Sequence, residues 1–300
     1  MDIKSKKNKK PKTNNIFLTV SQLYVVVGLD RFGRLCPLLI KLWERLNQRD
    51  YFRHVYEIQD ICSIEHLTET PYQTIKRLSQ QNKIDIMPQV RQCLNSKDSV
   101  KMTEIRDNML CQIKAANLDK KETDILKKNV HNLTNTSFGS RHESHAIKYY
   151  CEKQQTNVVC KQQYVKKHIA TVGKTQWFLT GKVDGITEDG ILVEVKNRIH
   201  KLFNKLLDYE KPQIQAYLKM MNIQKGHLVE FIKNPTNPQM NIIEVEKEPK
   251  YWKEFIIPGI EKFIQFFYHF IKRSELKYIV LMNDEEKIGD FFNKFVYSSS

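Results

Sequence analysis

Residues 180–198, TGKVDGITEDGILVEVKNR, constrain the fold of this chain more than any other segment. Apolar and polar residues alternate on both sides of an Asp-Gly pair at 189–190, which is typical of two strands joined by a tight turn. Side chains alternate between the faces of a strand, so Glu194 and Lys196 share one face of the second strand. The segment therefore predicts a β-hairpin.

Asp184 closes the first strand of this hairpin, and the turn returns it toward Glu194. Two carboxylates over a partly buried sheet repel each other unless a cation lies between them, and such oxygen ligands suit Mg²⁺ or Mn²⁺. Lys196 beside them would orient or help deprotonate a water molecule. The pattern indicates a centre for phosphodiester hydrolysis. The alternative that the hairpin alone leaves open is an ion pair on an exposed sheet face.

A helix is predicted upstream, in FGSRHESHAIKYY, with Glu143 on the same face as Ala146, Ile147 and Tyr150. A carboxylate on an apolar face is costly unless it is paired or bound to a metal, although a Glu at the edge of the face can also reach water. The segment is not a zinc-protease motif, because its second His comes one position early for HExxH.

A second helix is predicted downstream, in KPQIQAYLKMM, with Pro212 in its first turn. Gln213 and Tyr217 are four residues apart and share a face, while Gln215 flanks the apolar stripe on the other side. A Gln beside two carboxylates can hold one of them or contact a phosphate. An ordinary amphipathic helix is the alternative.

The chain divides by pattern into four regions. These are a basic tail at 1–14, a mainly helical region at 15–129, a core of helices and strands at 130–275, and a C-terminal extension at 276–300. The core reads as helix, strands, helix, strands, helix, with its last helix interrupted at Pro258-Gly259. This order predicts an α/β fold in which helices flank a central mixed β-sheet.

The formal net charge of +15 points to an anionic partner, and nucleic acid is the usual one. Biased codon usage is a second explanation for so much lysine. The six cysteines form no CxxC pair, which favours a reducing intracellular compartment. No apolar run reaches the roughly 18–20 residues that span a bilayer, so no membrane association is expected. The lysine-rich start would serve as a nuclear import signal, a DNA-tethering arm or a solubilising end.

Taken together, these segments resemble the PD-(D/E)xK nuclease superfamily. The likeness is closer to lambda exonuclease, to YqaJ-type viral recombinase nucleases and to viral alkaline exonucleases. It covers about half of the chain and rests on features in the family's order: Gly139-x-x-x-Glu143, Val183-Asp184-Gly185, Glu194-Val195-Lys196, and Gln213-Ile214-Gln215 followed by Tyr217. The family's Arg followed by a Thr-Ala-Ser-like segment, which helps to hold a terminal phosphate, has no clear copy before Glu143.

The resemblance implies a restriction-endonuclease-like core and a Mg²⁺-dependent DNA exonuclease. The enzyme would act 5′ to 3′ on double-stranded ends in viral-type recombination or genome processing. Its expected partners are DNA and a single-strand annealing or recombination protein, with a homo-oligomer left open. It would work in the nucleus or at a cytoplasmic replication site of a host cell. A structure-specific or restriction-type endonuclease of the same fold, and a non-catalytic nucleic-acid-binding protein, remain alternatives.

The resemblance also implies roles for individual residues. Asp184 and Glu194 would ligate the metal together with the backbone carbonyl of Val195, and Lys196 would position or activate the attacking water. Glu143 would ligate a metal or its water shell. Of the supporting pair Gln213 and Gln215, the second is expected to touch the site. The expected DNA contacts are Asn197, Arg198 and Tyr217.

Overall fold

The computed structural model describes residues 14–62, 69–96, 99–199, 201–233 and 236–297. The predicted basic tail at 1–14 lies outside these residues except for its last one. The described residues group into two compact units: a first unit of 14–57, 164–181 and 250–297, and a second unit of 58–163 and 182–249. This grouping follows spatial packing, and the region boundaries at 15, 130 and 276 stay a prediction.

The chain contains both helices and strands in each unit, which confirms the predicted α/β class. The strands are β1 (Asn14–Thr19), β2 (Gln163–Val172), β3 (Thr175–Val183), β4 (Gly185–Ile186), β5 (Leu192–Asn197), β6 (Lys225–Ile232) and β7 (Gln239–Glu246). The helices are α1 (Leu23–Val26), α2 (Leu35–Leu46), α3 (Gln48–Cys62), α4 (Pro71–Gln81), α5 (Met87–Asn95), α6 (Ser99–Ala115), α7 (Lys120–Gln154), α8 (Lys211–Met221), α9 (Pro249–Tyr251), α10 (Ile257–Phe270), α11 (Ser274–Leu281) and α12 (Glu285–Tyr297).

A three-stranded sheet with the order β1-β3-β2 belongs mainly to the first unit. β1 pairs in parallel with β3, in a register that sets Ile16 beside Trp177. The region from residue 15 onward was expected to be mainly helical, so this strand is a difference from the sequence-based prediction. Its physical reason is that the hydrogen-bonding partner lies far along the chain, where local periodicity carries no information about it.

The predicted interruption at Pro258-Gly259 takes the form of a π-helical segment, Trp252–Ile256, one turn earlier. The widened turn joins α9 to α10 and lets the helix continue past Pro258, which has no N–H to donate. The glycine is needed for packing, since a Cβ atom at Gly259 would lie 2.9 Å from Cγ1 of Val27. The segment therefore forms one continuous helical rod.

Helices α4 to α7 pack together in the second unit around an apolar cluster. Thr70 caps α4 in a reciprocal pair with Gln73, and Pro71 follows in the first turn of the helix. α7 is a single helix of 35 residues and passes without a break through the predicted boundary between residues 129 and 130. The cluster consists of Ile75, Leu78, Ile86, Val90, Cys93, Met102, Ile105, Met109, Ile113, Leu126 and Val130, with Ile199 packed against it.

The second unit also holds a mixed sheet with the strand order β4-β5-β6-β7. β4 and β5 are antiparallel, β5 and β6 are parallel, and β6 and β7 are antiparallel. The parallel pair is joined through α8, in a strand-helix-strand crossover. Leu192, Val193, Glu194 and Val195 are all buried, so β5 is covered on both faces. This is the central mixed sheet flanked by helices that the sequence predicts.

Within the described residues, no helix combines the length and the apolar composition needed to cross a bilayer.

Candidate active site

The hairpin predicted from 180–198 is present in the structure. Gly190 has φ +77°, the left-handed conformation that the tight turn requires. Gly185 pairs with Val193 across β4 and β5, so the preceding residue, Asp184, falls next to Glu194 on the neighbouring strand. The backbone N–H of Val195 donates a hydrogen bond of 2.8 Å to Oδ2 of Asp184. The turn therefore returns Asp184 to β5, as the alternation of the sequence predicts.

A closed triangle of hydrogen bonds links Glu194, Lys196 and Gln213. Nζ of Lys196 lies 2.9 Å from Oε1 of Glu194 and 2.8 Å from Oε1 of Gln213. Nε2 of Gln213 donates to the same Glu194 oxygen at 2.6 Å. The first turn of α8 thus holds the acid and the amine of β5 in one fixed arrangement.

The second oxygen of Glu194 has a different environment. Glu194 is 3% exposed, and its Oε2 accepts no hydrogen bond from any described residue. A buried carboxylate oxygen without a donor is costly, and it is the kind of atom that a cation would satisfy. Burial raises the pKa of Asp184 well above its usual value, with the charges of Glu194 and Glu143 adding to the effect. The two acids therefore hold more negative charge than their neighbours offset.

Lys196 supplies positive charge at this site. Burial lowers the pKa of Lys196, but the nearby carboxylates of Glu194 and Glu210 outweigh burial and raise it above its usual value. The amine is therefore a cation that donates hydrogen bonds to its neighbours in the described structure. A cation taken up between Asp184 and Glu194 would offset those carboxylates and bring the pKa of the lysine down.

Glu143 lies on α7, on the face that also carries Ala146, Ile147 and Tyr150, as predicted. That helix packs against Val193 and Val195, on the face of β5 opposite to Glu194. Its carboxylate accepts a hydrogen bond from Gln162. Burial raises the pKa of Glu143, and the charge of Glu194 raises it further against the lowering effect of Gln162. Glu143 is thus electrostatically part of the site.

In the part of the chain that the structure describes, no group of three or more His, Cys, Asp or Glu side chains is arranged to hold a metal ion. Glu143 therefore does not complete a cluster of three carboxylates with Asp184 and Glu194. The pair itself fits a hard divalent cation, because it offers a buried oxygen without a donor and an aspartate whose charge is poorly offset.

Gln215 was expected to touch the site, and the structure contradicts this expectation. Gln215 is 1% exposed, and its amide donates to the backbone oxygen of Glu246 and accepts from the backbone N–H of Glu248. It ties α8 to the end of β7 instead. Both glutamines flank the apolar stripe of α8, and the contact with the site is made by Gln213.

Tyr217 was predicted to contact DNA, but its ring is in the protein interior, with only 3% exposed. Its hydroxyl donates to the backbone oxygen of Lys182 at 2.9 Å. Burial raises the pKa of Tyr217, and the charges of Glu194 and Asp184 raise it further. The tyrosine thus supports the strand that leads into Asp184 and is not available to a ligand.

Arg198 was predicted to bind a backbone phosphate, and its guanidinium is already occupied. It makes a two-pronged ion pair with Glu210, at 2.7 and 3.0 Å, and a further one with Glu230. Both acids are buried. The neighbouring Asn197 is half-buried at the end of β5, and its predicted contact with DNA stays a prediction.

Three residues near the site were not predicted from the sequence. Gln162, Glu210 and Glu230 bind Glu143, Arg198 and the loop after β5, respectively. Glu230 interrupts the apolar run LVEFI of β6 and is 0% exposed. An acid in such a strand requires a buried cation or donors, and this signal could have identified it.

No family model matches the sequence, and no curated protein matches it. Among solved structures, the chain is similar to SSO0001, with 18% identity, a TM-score of 0.35, and coverage of 46% of this chain and 64% of that one. It is similar to the alkaline exonuclease LHK-Exo from Laribacter hongkongensis, with 15% identity, a TM-score of 0.37, and coverage of 65% and 90%. LHK-Exo in complex with dAMP gives 14% identity, a TM-score of 0.35, and coverage of 64% and 88%. Likenesses this distant assign no role to any residue of this chain.

Proposed function

We propose that this chain is a Mg²⁺-dependent deoxyribonuclease that hydrolyses phosphodiester bonds, acting as a 5′-to-3′ exonuclease on double-stranded ends. One observation carries the proposal. Asp184 and Glu194 share a site with Lys196, and a buried oxygen of Glu194 accepts no hydrogen bond from the described residues. An ion pair needed only for stability would leave no such surplus of negative charge. A non-catalytic nucleic-acid-binding protein has no use for it either.

Asp184 and Glu194 would hold the metal, and Mn²⁺ would fit the same oxygen ligands. When bound, the metal would polarise a phosphoryl oxygen and lower the pKa of a water molecule. Lys196 would hold the attacking water and help to remove its proton once its carboxylate partner is engaged elsewhere. Gln213 would keep the lysine in place, since it accepts from Lys196 and donates to Glu194.

The rest of the molecule supports an anionic substrate. A net charge of +15 favours binding to DNA in a manner that weakens steeply with salt. Five cysteines are free thiols in the structure: Cys36, Cys93, Cys111, Cys151 and Cys160. That state fits a reducing intracellular compartment, which we propose as the place of action. A single-strand annealing or recombination protein remains the proposed user of the resected DNA.

The test compares linear and covalently closed circular DNA with Mg²⁺ present. We expect Lys196→Ala and Glu194→Ala to lower the rate of linear-DNA degradation about 10³-fold, because each change removes a group that acts on the reacting atoms. Lys219→Ala is the matched control. Lys219 is a half-buried lysine on α8 outside the hydrogen-bonded triangle, and its loss should leave the rate unchanged.

Cleavage at the wild-type rate by either site variant, with folding retained, would refute the assigned centre. Digestion of closed circles would instead establish the endonuclease alternative. Salt-sensitive DNA binding without cleavage under any metal would leave the binding-protein alternative as the correct one.

A further inference from the structure

The loop that follows β5, residues 201–210, is attached to the sheet by one buried acid. Glu230 on β6 is 0% exposed, and its carboxylate accepts hydrogen bonds from the backbone N–H of Phe203 at 3.1 Å and of Asn204 at 2.8 Å. Nε of Arg198 donates to the same carboxylate at 2.8 Å. The tip of the loop, formed by Phe203 and Asn204, is therefore held in place by the carboxylate of Glu230 on β6.

This attachment puts the tip near the candidate active site. Glu230 is the register partner of Lys196 in the parallel pair β5–β6, and paired residues of adjacent strands project from the same face of a sheet. The backbone at the tip is fixed by Asn204, which has φ +55°. Asn is among the residues that adopt this left-handed conformation at little cost. The loop thus has a defined conformation on the face that carries Lys196.

The aromatic ring at the tip, Phe203, lies beside two cationic side chains. Phe203 is 38% exposed, and the guanidinium carbon of Arg198 lies 4.8 Å from its ring centroid. Nζ of Lys201 is 5.5 Å from the same centroid, and Lys201 and Lys205 are both exposed. A singly exposed apolar ring is common on protein surfaces, but this one has two cationic side chains beside it. A rigid aromatic ring flanked by lysines is the arrangement that binds unpaired nucleobases by stacking.

We infer that Phe203 is a stacking platform for an unpaired base at the end of a DNA strand, with Lys201 and Lys205 contacting the adjacent phosphates. The inference rests on the proposed function, and it adds a residue that selects frayed or single-stranded ends at the rim of the site. Arg198 acts as a positioning residue, because it lies under the ring while its charge is taken up by Glu210 and Glu230.

The experiment measures equilibrium binding of the full chain in EDTA. The probe is a duplex oligonucleotide with a short single-stranded end that carries 2-aminopurine. The wild-type protein should quench the fluorescence of the probe by stacking on it. Phe203→Ala should abolish the quenching and weaken binding about 5- to 100-fold. Phe203→Trp should restore both, whereas Phe203→Leu, which keeps apolar volume without an aromatic face, should not.

The matched control is Phe255→Ala, since Phe255 is 37% exposed and also contacts an aromatic neighbour, Tyr251. It should bind like the wild type. A second probe with abasic residues in place of the single-stranded bases should bind equally to the wild type and to Phe203→Ala.

Four results would overturn the inference: no binding of the probe, quenching that survives Phe203→Ala, restoration by Phe203→Leu, or equal losses of affinity on the abasic probe. Because these readouts need no metal and no cleavage, they stand apart from the nuclease assay. A failure of catalysis leaves them interpretable, and their failure leaves the catalytic centre intact.

Discussion

Each unit of the molecule contains a largely buried aspartate beside a lysine, and the pKa values of the two aspartates are shifted in opposite directions. In the first unit, Asp50 accepts hydrogen bonds from Nζ of Lys277 at 2.7 Å and from Nε1 of Trp43 at 2.9 Å. Burial raises the pKa of Asp50, but these donors outweigh burial and lower it overall. In the second unit, burial and two neighbouring acids raise the pKa of Asp184 well above its usual value.

The difference lies in the balance of charge around each carboxylate. The carboxylate of Asp50 is hydrogen-bonded by Lys277 and Trp43, and Lys277 balances its charge, so it requires no added cation. The charges of Glu194 and Glu143 both act on Asp184, and Lys196 offsets them only in part, so the site gains from an added positive ion. The first is typical of a structural ion pair, and the second supports the proposal that Asp184 belongs to a functional site.

The largest difference between the two aspartates is expected in how strongly Mg²⁺ raises the midpoint of thermal unfolding. A metal at one hundred times its dissociation constant stabilises the folded chain by about 2.7 kcal/mol, so the midpoint of thermal unfolding should rise. Asp184→Asn should remove this rise, whereas Asp50→Asn should retain it. An equal response to Mg²⁺ in both variants would show that the metal does not bind at the hairpin.

Asp50→Asn should have the next largest effect. It removes the charge that Lys277 needs while leaving that lysine buried, with a side chain only 6% exposed. We expect a loss of about 2 kcal/mol in the free energy of unfolding, measured by chemical denaturation at neutral pH. A change within experimental error would mean that the amide satisfies Lys277 as well as the carboxylate does.

Asp184→Asn should have the smallest effect and the opposite sign. Without metal, the variant should be more stable by about 1 kcal/mol at neutral pH, because it relieves repulsion with Glu194. The folded-state pKa of Asp184 is raised, so its contribution to stability is present below its unfolded value of about 3.9 and is lost as pH rises through the folded value.

The gain in stability of Asp184→Asn over the wild type should therefore grow as pH rises from the unfolded to the folded pKa of Asp184, and it should vanish in acid. For Asp50 the folded-state pKa is lowered, so its contribution is lost as pH falls through the folded value. Denaturation curves at several pH values test both signs. A constant advantage of Asp184→Asn over the whole range would contradict the assigned repulsion.

The parts of the site that could be predicted from sequence are those fixed by local geometry. Alternation along β5 gives the shared face of Glu194 and Lys196, and the Asp-Gly turn gives the return of Asp184. Four-residue spacing on α8 places Gln213 beside the stripe, but a helix has two flanks. Periodicity alone therefore could not decide between Gln213 and Gln215.

The parts that could not be predicted depend on distant partners. Arg198 lies two residues after Lys196, yet its guanidinium is already paired with Glu210 and with Glu230 on β6. Tyr217 has a polar tip that suits a ligand, yet its hydroxyl is taken by a backbone carbonyl of the strand beside it. β1 was missed for the same reason, since its neighbour β3 lies far along the chain.

The hydrogen bonds to Glu230 have a consequence for amide hydrogen exchange. Loop amides usually exchange through small local openings, but the N–H groups of Phe203 and Asn204 end on a carboxylate in the middle of β6. Breaking these hydrogen bonds would leave the buried carboxylate of Glu230 with two donors fewer, so the loop and β6 should open together. The two amides should exchange as slowly as those of the sheet, and Glu230→Gln should release them to the rates of an ordinary surface loop.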